Sequence, residues 1–209
     1  MELFFLAFGA LFSIMNPLGT VPVFATLTQQ NNDKEKQQIA LKTAINVLVI
    51  LLISFFLGQY ILTFFNISII SLKIAGGLII SSSGFALLTG KFSEHKGMKR
   101  QKIQNDIESR NEISLTPLAI PMIAGPGTIS LLITYNQEYK NADQIITIII
   151  AMIVAALSIF IILRSAHFIV NKLGASGINA LSRIIGFIVI AIGVEFIISS
   201  ITLILKQII

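Results

Sequence analysis

Asn16-Pro17-Leu18-Gly19-Thr20 and Gly125-Pro126-Gly127-Thr128 are the residues whose types and spacing point most directly to chemistry. Asn is a favoured N-cap and Pro a favoured first helical residue, so Asn16-Pro17 predicts a helix start. The residue before a proline is pushed out of the α region, so any helix arriving there should stop. A helix start leaves backbone N–H groups without intrahelical partners and carries the positive end of the helix dipole. Gly19 allows close approach to that backbone, Thr20 adds a hydroxyl, and Pro22 should prolong the disruption. At the second break Pro117 and Pro121 make the approach irregular, Gly125 serves as turn or cap, and Pro126 starts the helix. Gly127 leaves that start uncovered, and Thr128 and Ser130 supply hydroxyls. Two such starts brought together would bind an anion through backbone donors, which suits the carboxylate of a small zwitterion. The competing reading is that Gly and Pro are kinks and packing points, which are common in membrane helices.

Glu195 is the one carboxylate well inside an apolar run. It lies about 18 Å deeper than Arg183 at 1.5 Å per residue, past the middle of a ~30 Å hydrocarbon core. Ionisable groups at that depth are costly, which makes them candidates for function. Burial is expected here, with proton coupling as one role and a neutral acid hydrogen-bonded to a neighbouring helix as the other. Asn46 is a weaker lining candidate. Arg164 and His167 are explained by snorkelling near a span end. Enzyme signatures are missing: there is no carboxylate pair within a span, no metal-ligand cluster and no Walker loop. The chain has no cysteine and only two histidines, far apart. No enzyme activity, metal or cofactor is expected.

The elements that must position these residues are helices in a bilayer. The 209 residues are 55% hydrophobic and 12% charged, against roughly 25% charge in soluble domains. Six apolar runs cover 3–28, 39–65, 69–90, 113–136, 144–168 and 183–205. Each reaches the ~20 residues a spanning helix needs. They predict an all-α membrane protein of six spans in a single membrane domain, 1–209, with spans 1 and 4 broken at the two motifs. Lipid-exposed backbone cannot stay unpaired, so each break belongs inside protein or against a cavity. The start of the chain lacks the basic region of a cleaved signal, so span 1 should remain in the mature protein.

Charge sets the orientation. Lys73, Lys140 and Lys206 fall on one side; the other 12 of the 15 Lys and Arg residues fall on the opposite side. That asymmetry predicts both termini outside and the loops between spans 1–2, 3–4 and 5–6 in the cytoplasm. It also accounts for the net charge of +5 without a nucleic-acid role. The polar stretch 91–112 reads as a solvated cytoplasmic linker, or alternatively as a contact for anionic lipid or a partner.

The chain is also written twice. Lys73-Ile74-Ala75-Gly76-Gly77-Leu78-Ile79-Ile80 aligns without gaps on Arg183-Ile184-Ile185-Gly186-Phe187-Ile188-Val189-Ile190, and Gly19-Thr20 aligns on Gly127-Thr128. Repeat 1 covers 1–90 and repeat 2 covers 113–209. Three spans per unit is odd, so the second unit enters inverted, and paired breaks in such repeats mark transporter sites. Gly76, Gly77, Ser81, Ser82, Ser83 and Gly84 in span 3, with Gly186 and Gly193 in span 6, predict close helix packing.

The segments at 16–24, 72–77 and 117–129, with Gly-Ile-Asn-Ala-Leu-Ser-Arg-Ile-Ile-Gly at 177–186 and Gly-Val-Glu-Phe-Ile at 193–197, resemble the MarC family of inner-membrane proteins. Gly-Lys-Phe-Ser-Glu-His at 90–95 is similar to its YchE-like branch. The resemblance implies six spans in a bacterial inner membrane. One archaeal branch, SnatA, is described as a small neutral amino-acid transporter. Glu195 stands where other branches carry Gln. The expectation is a secondary transporter of a small polar or zwitterionic solute, with lipid as its surroundings. Asn16, Pro17, Gly19, Thr20, Gly125, Pro126, Gly127 and Thr128 would form its substrate site. A passive channel, or a non-transporting membrane factor for partner proteins or lipids, is the alternative.

Overall fold

The computed structural model describes residues 1–90, 118, 119 and 122–208. Among them every regular element is a helix: α1 Glu2–Met15, α2 Pro17–Leu27, α3 Asp33–Phe64, α4 Ile69–Leu88, α5 Pro126–Glu138, α6 Ala142–Arg164 and α7 Ala166–Ile208. The linker 91–112, with its basic segment, lies outside the described residues, as do Pro117 and Pro121.

Local chemistry sets the helix boundaries. α3 begins six residues before its apolar run because Asn32 and Glu35 cap each other. The Glu35 N–H donates to Asn32 Oδ1 at 2.9 Å, and the Asn32 N–H donates to Glu35 Oε2 at 3.0 Å. That reciprocal box satisfies two orphan donors. α3 ends with Asn66 in the left-handed region, φ 52°. The Ile67 N–H reaches back to the Leu62 carbonyl at 2.9 Å and the Asn66 N–H to that of Thr63 at 3.1 Å, closing a Schellman end with Asn in place of Gly. Ser68 caps α4 by accepting from the Ser71 N–H at 3.0 Å. α7 is interrupted at Gly174, φ 63° and ψ 173°, a conformation open to glycine and closed to most L-residues.

Among the described residues, four helices are long and apolar enough to cross a bilayer: α3, α4, α6 and the Ser176–Lys206 part of α7. α1 and α2 qualify together, bent by 41° across Asn16. Against the six expected spans, the described residues supply four, or five with the bent pair as one, and the run at 113–136 is described only in part. For the run at 113–136, the regular helix described is α5. Its 13 residues extend about 20 Å, short of a ~30 Å hydrocarbon core. Pro22, expected to prolong the first break, instead lies within α2. It deletes one ladder bond close to the helix start, and the helix continues around it.

α4 and α7 form the central contact. A carbon added at Gly77 would stand 2.6 Å from the Gly193 carbonyl oxygen, and one added at Gly84 would stand 2.8 Å from that of Gly186. The helices run antiparallel, and their backbones touch because these positions lack side chains, as the small-residue pattern predicted. α2 packs on α7, α5 on α4, α3 on both α5 and α6, and α1 on α6. Phe24, Phe55, Leu11, Met15, Leu51, Ile80, Leu118 and Met122 are fully buried between them. The outer faces carry Ile45, Val49, Ile53, Leu57, Ile150, Leu157, Ile184 and Phe187 exposed. An apolar surface this continuous belongs against acyl chains.

Candidate functional site at the two helix breaks

The first break is a single residue wide. Asn16 ends α1 by donating its N–H to the Phe12 carbonyl at 3.0 Å, and takes the left-handed conformation, φ 43° and ψ 64°. Asn tolerates that region better than most residues, and Pro17 excludes the right-handed alternative. Asn16 then serves as N-cap of α2. The Gly19 N–H donates to its carbonyl at 3.1 Å and, at 3.4 Å, to its side-chain Oδ1. The Thr20 hydroxyl donates to the same carbonyl at 3.4 Å. The other half of the Asn16 amide is unengaged: Nδ2 is buried with no hydrogen-bond partner among the described residues.

The second break is wider. The Ala124 N–H bonds the Ala119 carbonyl at 2.9 Å, a five-residue step that opens the turn. Gly125 caps α5 in extended conformation, φ −83° and ψ 176°, with Pro126 as the first helical residue. Its carbonyl accepts from the Ile129 N–H at 3.1 Å. Thr128 is buried, and its hydroxyl has no partner among the described residues.

The two breaks are neighbours. A carbon added at Gly127 would lie 3.6 Å from Ile14 Cγ2, so the start of α5 rests against the last turn of α1. Of the expected site residues, Gly127 is the one this contact brings to the end of α1, just before Asn16. Two details differ from expectation. The added carbon at Gly127 would also come within 2.9 Å of Ile80 Cγ1; α4 covers Gly127, and its missing side chain serves packing. Gly19 is partly exposed and is the more open of the two glycines. Ser130, expected as a free hydroxyl, donates to the Leu72 carbonyl at 3.2 Å. It fills the room left by Gly76, joining α5 to α4.

Glu195 is the clearest correction. Burial was expected, and the residue is exposed on the outer side of α7. The inward face of that helix is taken by Gly186, Val189, Gly193, Phe196 and Ser200, at spacings of three and four. Position 195 falls off that stripe. Counting residues along a helix gives depth and leaves the direction around the axis open. Phe85, its partner in the repeat, is likewise exposed. Asn46 is half-buried on α3. Outside the spans, His167 is pushed below the usual histidine range by partial burial and by Lys36, while Asp33 opposes this.

Lys73 and Glu138 went unnoticed in the sequence as partners. Lys73 Nζ lies 2.6 Å from Glu138 Oε1, joining the first turns of α4 to the end of α5. The lysine side chain is 7% exposed and the glutamate 41%. The same ammonium lies 5.7 Å from the Phe196 ring centre on α7. The available signal was opposite charge at the ends of two apolar runs, one per repeat. No cluster of metal ligands occurs among the described residues.

Comparison with known proteins places this architecture. Residues 1–205 match the family described as MarC family integral membrane protein. The chain belongs to the MarC family. It is 35% identical over 198 residues to the membrane protein YhcE of Escherichia coli, covering 95% of this chain and 91% of that protein. It is 36% identical over 201 residues to a membrane protein of Methanocaldococcus jannaschii, covering 96% and 97%. It is 32% identical over 204 residues to the inner membrane protein MarC of Citrobacter koseri, covering 94% and 92%. No solved structure matches it. This MarC-family chain is an integral, multi-pass membrane protein, helical in every regular element of its described residues.

Proposed function

We propose that the protein is a secondary transporter of a small polar or zwitterionic solute, neutral amino acids included, and that it has no catalytic role. The observation that carries this is the pairing of unsatisfied groups at adjoining breaks. Asn16 Nδ2 and the Thr128 hydroxyl are both buried and unpartnered among the described residues. Such groups cost about 1–3 kcal/mol each when left dry. Two helix starts in apposition, each with a spare polar group and neither with a charged side chain, fit a carboxylate or a neutral polar solute. Asn16, Pro17, Gly19, Thr20, Gly125, Pro126, Gly127 and Thr128 form this site, with Gly127 and the prolines shaping it.

The architecture is two inverted three-helix repeats with six spans in the inner membrane, both termini outside. The exchange of α2 with α5, α3 with α6 and α4 with α7 fits the contacts: α2 packs on α7 as α5 packs on α4. The solute class follows what the family resemblance implies, since one branch of the family, SnatA, is described as a small neutral amino-acid transporter. Glu195 remains a position for proton linkage only through a lipid-facing carboxyl.

The test is counterflow in proteoliposomes loaded with unlabelled amino acids, after a thermal-shift screen has chosen the solute. A transporter takes up label faster when loaded. Uptake indifferent to loading would indicate a channel, and no uptake of any stabilising solute would reject the proposal.

A further inference from the structure

We propose that Lys73 and Glu138 form a latch that closes one end of the bundle over the paired breaks. The proposal rests on the transport reading above. The pair joins residue 73 of the first repeat to residue 138 of the second, across the α4–α5 contact. Ser130, two turns back on α5, holds the same helix to the Leu72 carbonyl. The latch therefore sits on the helix that begins at the second break. It lies at the end carrying the turns 65–68 and 139–141, the outer end in the orientation proposed here.

Its form is that of a contact able to open. Lys73 is almost wholly buried, whereas Glu138 is 41% exposed and can exchange its partner for water. Buried ion pairs contribute little net stability against their desolvation cost, and their best-attested use is to select one arrangement over another. The Phe196 ring holds the ammonium from the α7 side, so the lysine keeps a favourable neighbour when the carboxylate leaves. Among the described residues, the other end of the bundle shows no ion pair between helices. The repeat alignment puts Arg183 where Lys73 stands and Gln30 where Glu138 stands. Both are exposed, and glutamine carries no charge to pair. Among the described residues, the inter-helix ion pair is thus found at one end of a molecule built from two similar halves.

The chain contains no cysteine, so a single thiol reports access without background. Thr128→Cys places one at the second break. Its reaction with a membrane-impermeant, charged methanethiosulfonate is followed in right-side-out and in inside-out vesicles. Lys73→Met and Glu138→Gln should each raise the rate tenfold or more from the latch end alone. Exchange of the pair, Lys73→Glu with Glu138→Lys, should return it to within about threefold of the parent. Ala151→Cys, fully buried in α6, should stay unreactive throughout. Unchanged rates from both faces in both single variants would overturn the latch. So would a swapped pair as reactive as the single variants, or reactivity at position 151 rising in parallel, which marks a loosened fold. The readout needs no solute. Faster labelling without any solute exchange keeps the latch and removes the transport reading; exchange in the parent with unchanged labelling does the reverse.

Discussion

The two breaks use similar residues to different ends. At Asn16 the chain turns within one residue, and a side chain does the turning: one half of the amide caps α2 and the other half is spare. At Gly125 the backbone does the turning, through a wide step and an extended glycine, and the spare group is a threonine two residues beyond Pro126. Gly19 is partly open while Gly127 is covered by Ile80. A Pro-Gly motif thus fixes where a helix restarts, and the neighbouring helix decides whether the glycine there is for a ligand or for packing.

Asn16→Gly is the sharpest way to break that comparison. Glycine adopts the left-handed conformation freely, and replacing an Asn cap by Gly costs only a few tenths of a kcal/mol. Solute binding should fall tenfold or more while the melting temperature barely moves. Asn16→Ala keeps a Cβ in a conformation that costs about 1–2 kcal/mol, removes the amide that caps α2, and should lose both. If Asn16→Gly binds normally in a thermal-shift titration, the amide is structural.

The glycines should separate next. Gly127→Val forces a branched side chain into Ile80 and should cost about 1–3 kcal/mol of stability, resembling Gly193→Val at the α4–α7 contact. Gly19→Val should leave expression and melting near the parent and reduce binding. Equal melting losses at both positions would mean that the breaks are equivalent packing points.

Thr128→Val, nearly isosteric, removes a hydroxyl that has no partner among the described residues. Stability should hold or rise, and binding should weaken about tenfold, roughly 1.4 kcal/mol. Unaltered binding with raised stability would leave Asn16 as the working side of the site. Glu195→Gln should do least: stability within about 0.5 kcal/mol and transport rate within twofold across pH. A lost pH dependence would restore proton coupling.

The helical membrane class, the first break with its cap, the start of α5 at Pro126 and the small-residue contact of α4 with α7 were all legible in the sequence. Each rests on a local rule that tertiary structure does not override: proline has no N–H, Asn tolerates positive φ, and glycine admits backbone. Directions around helix axes were less legible. Glu195 was expected to be buried and is exposed, because a helix that is apolar all round gives no stripe to read against. Gly127 was read as open because the sequence does not say that Ile80 lies above it. Lys73 and Glu138 stand 65 residues apart, and nothing local joins them.

Gly77, Gly84, Gly186 and Gly193 have no rotamers to lose. Where two leucine-lined helices meet, each side chain gives up about 0.5–1 kcal/mol of conformational entropy, and in lipid no expulsion of water compensates for it. The glycine crossing gains its van der Waals contact with almost no such loss. Its cohesion should be carried by enthalpy and change little with temperature. The backbone part of this crossing should then hold better on heating than the side-chain contacts of Leu87, Ile190 and Ile197 beside it.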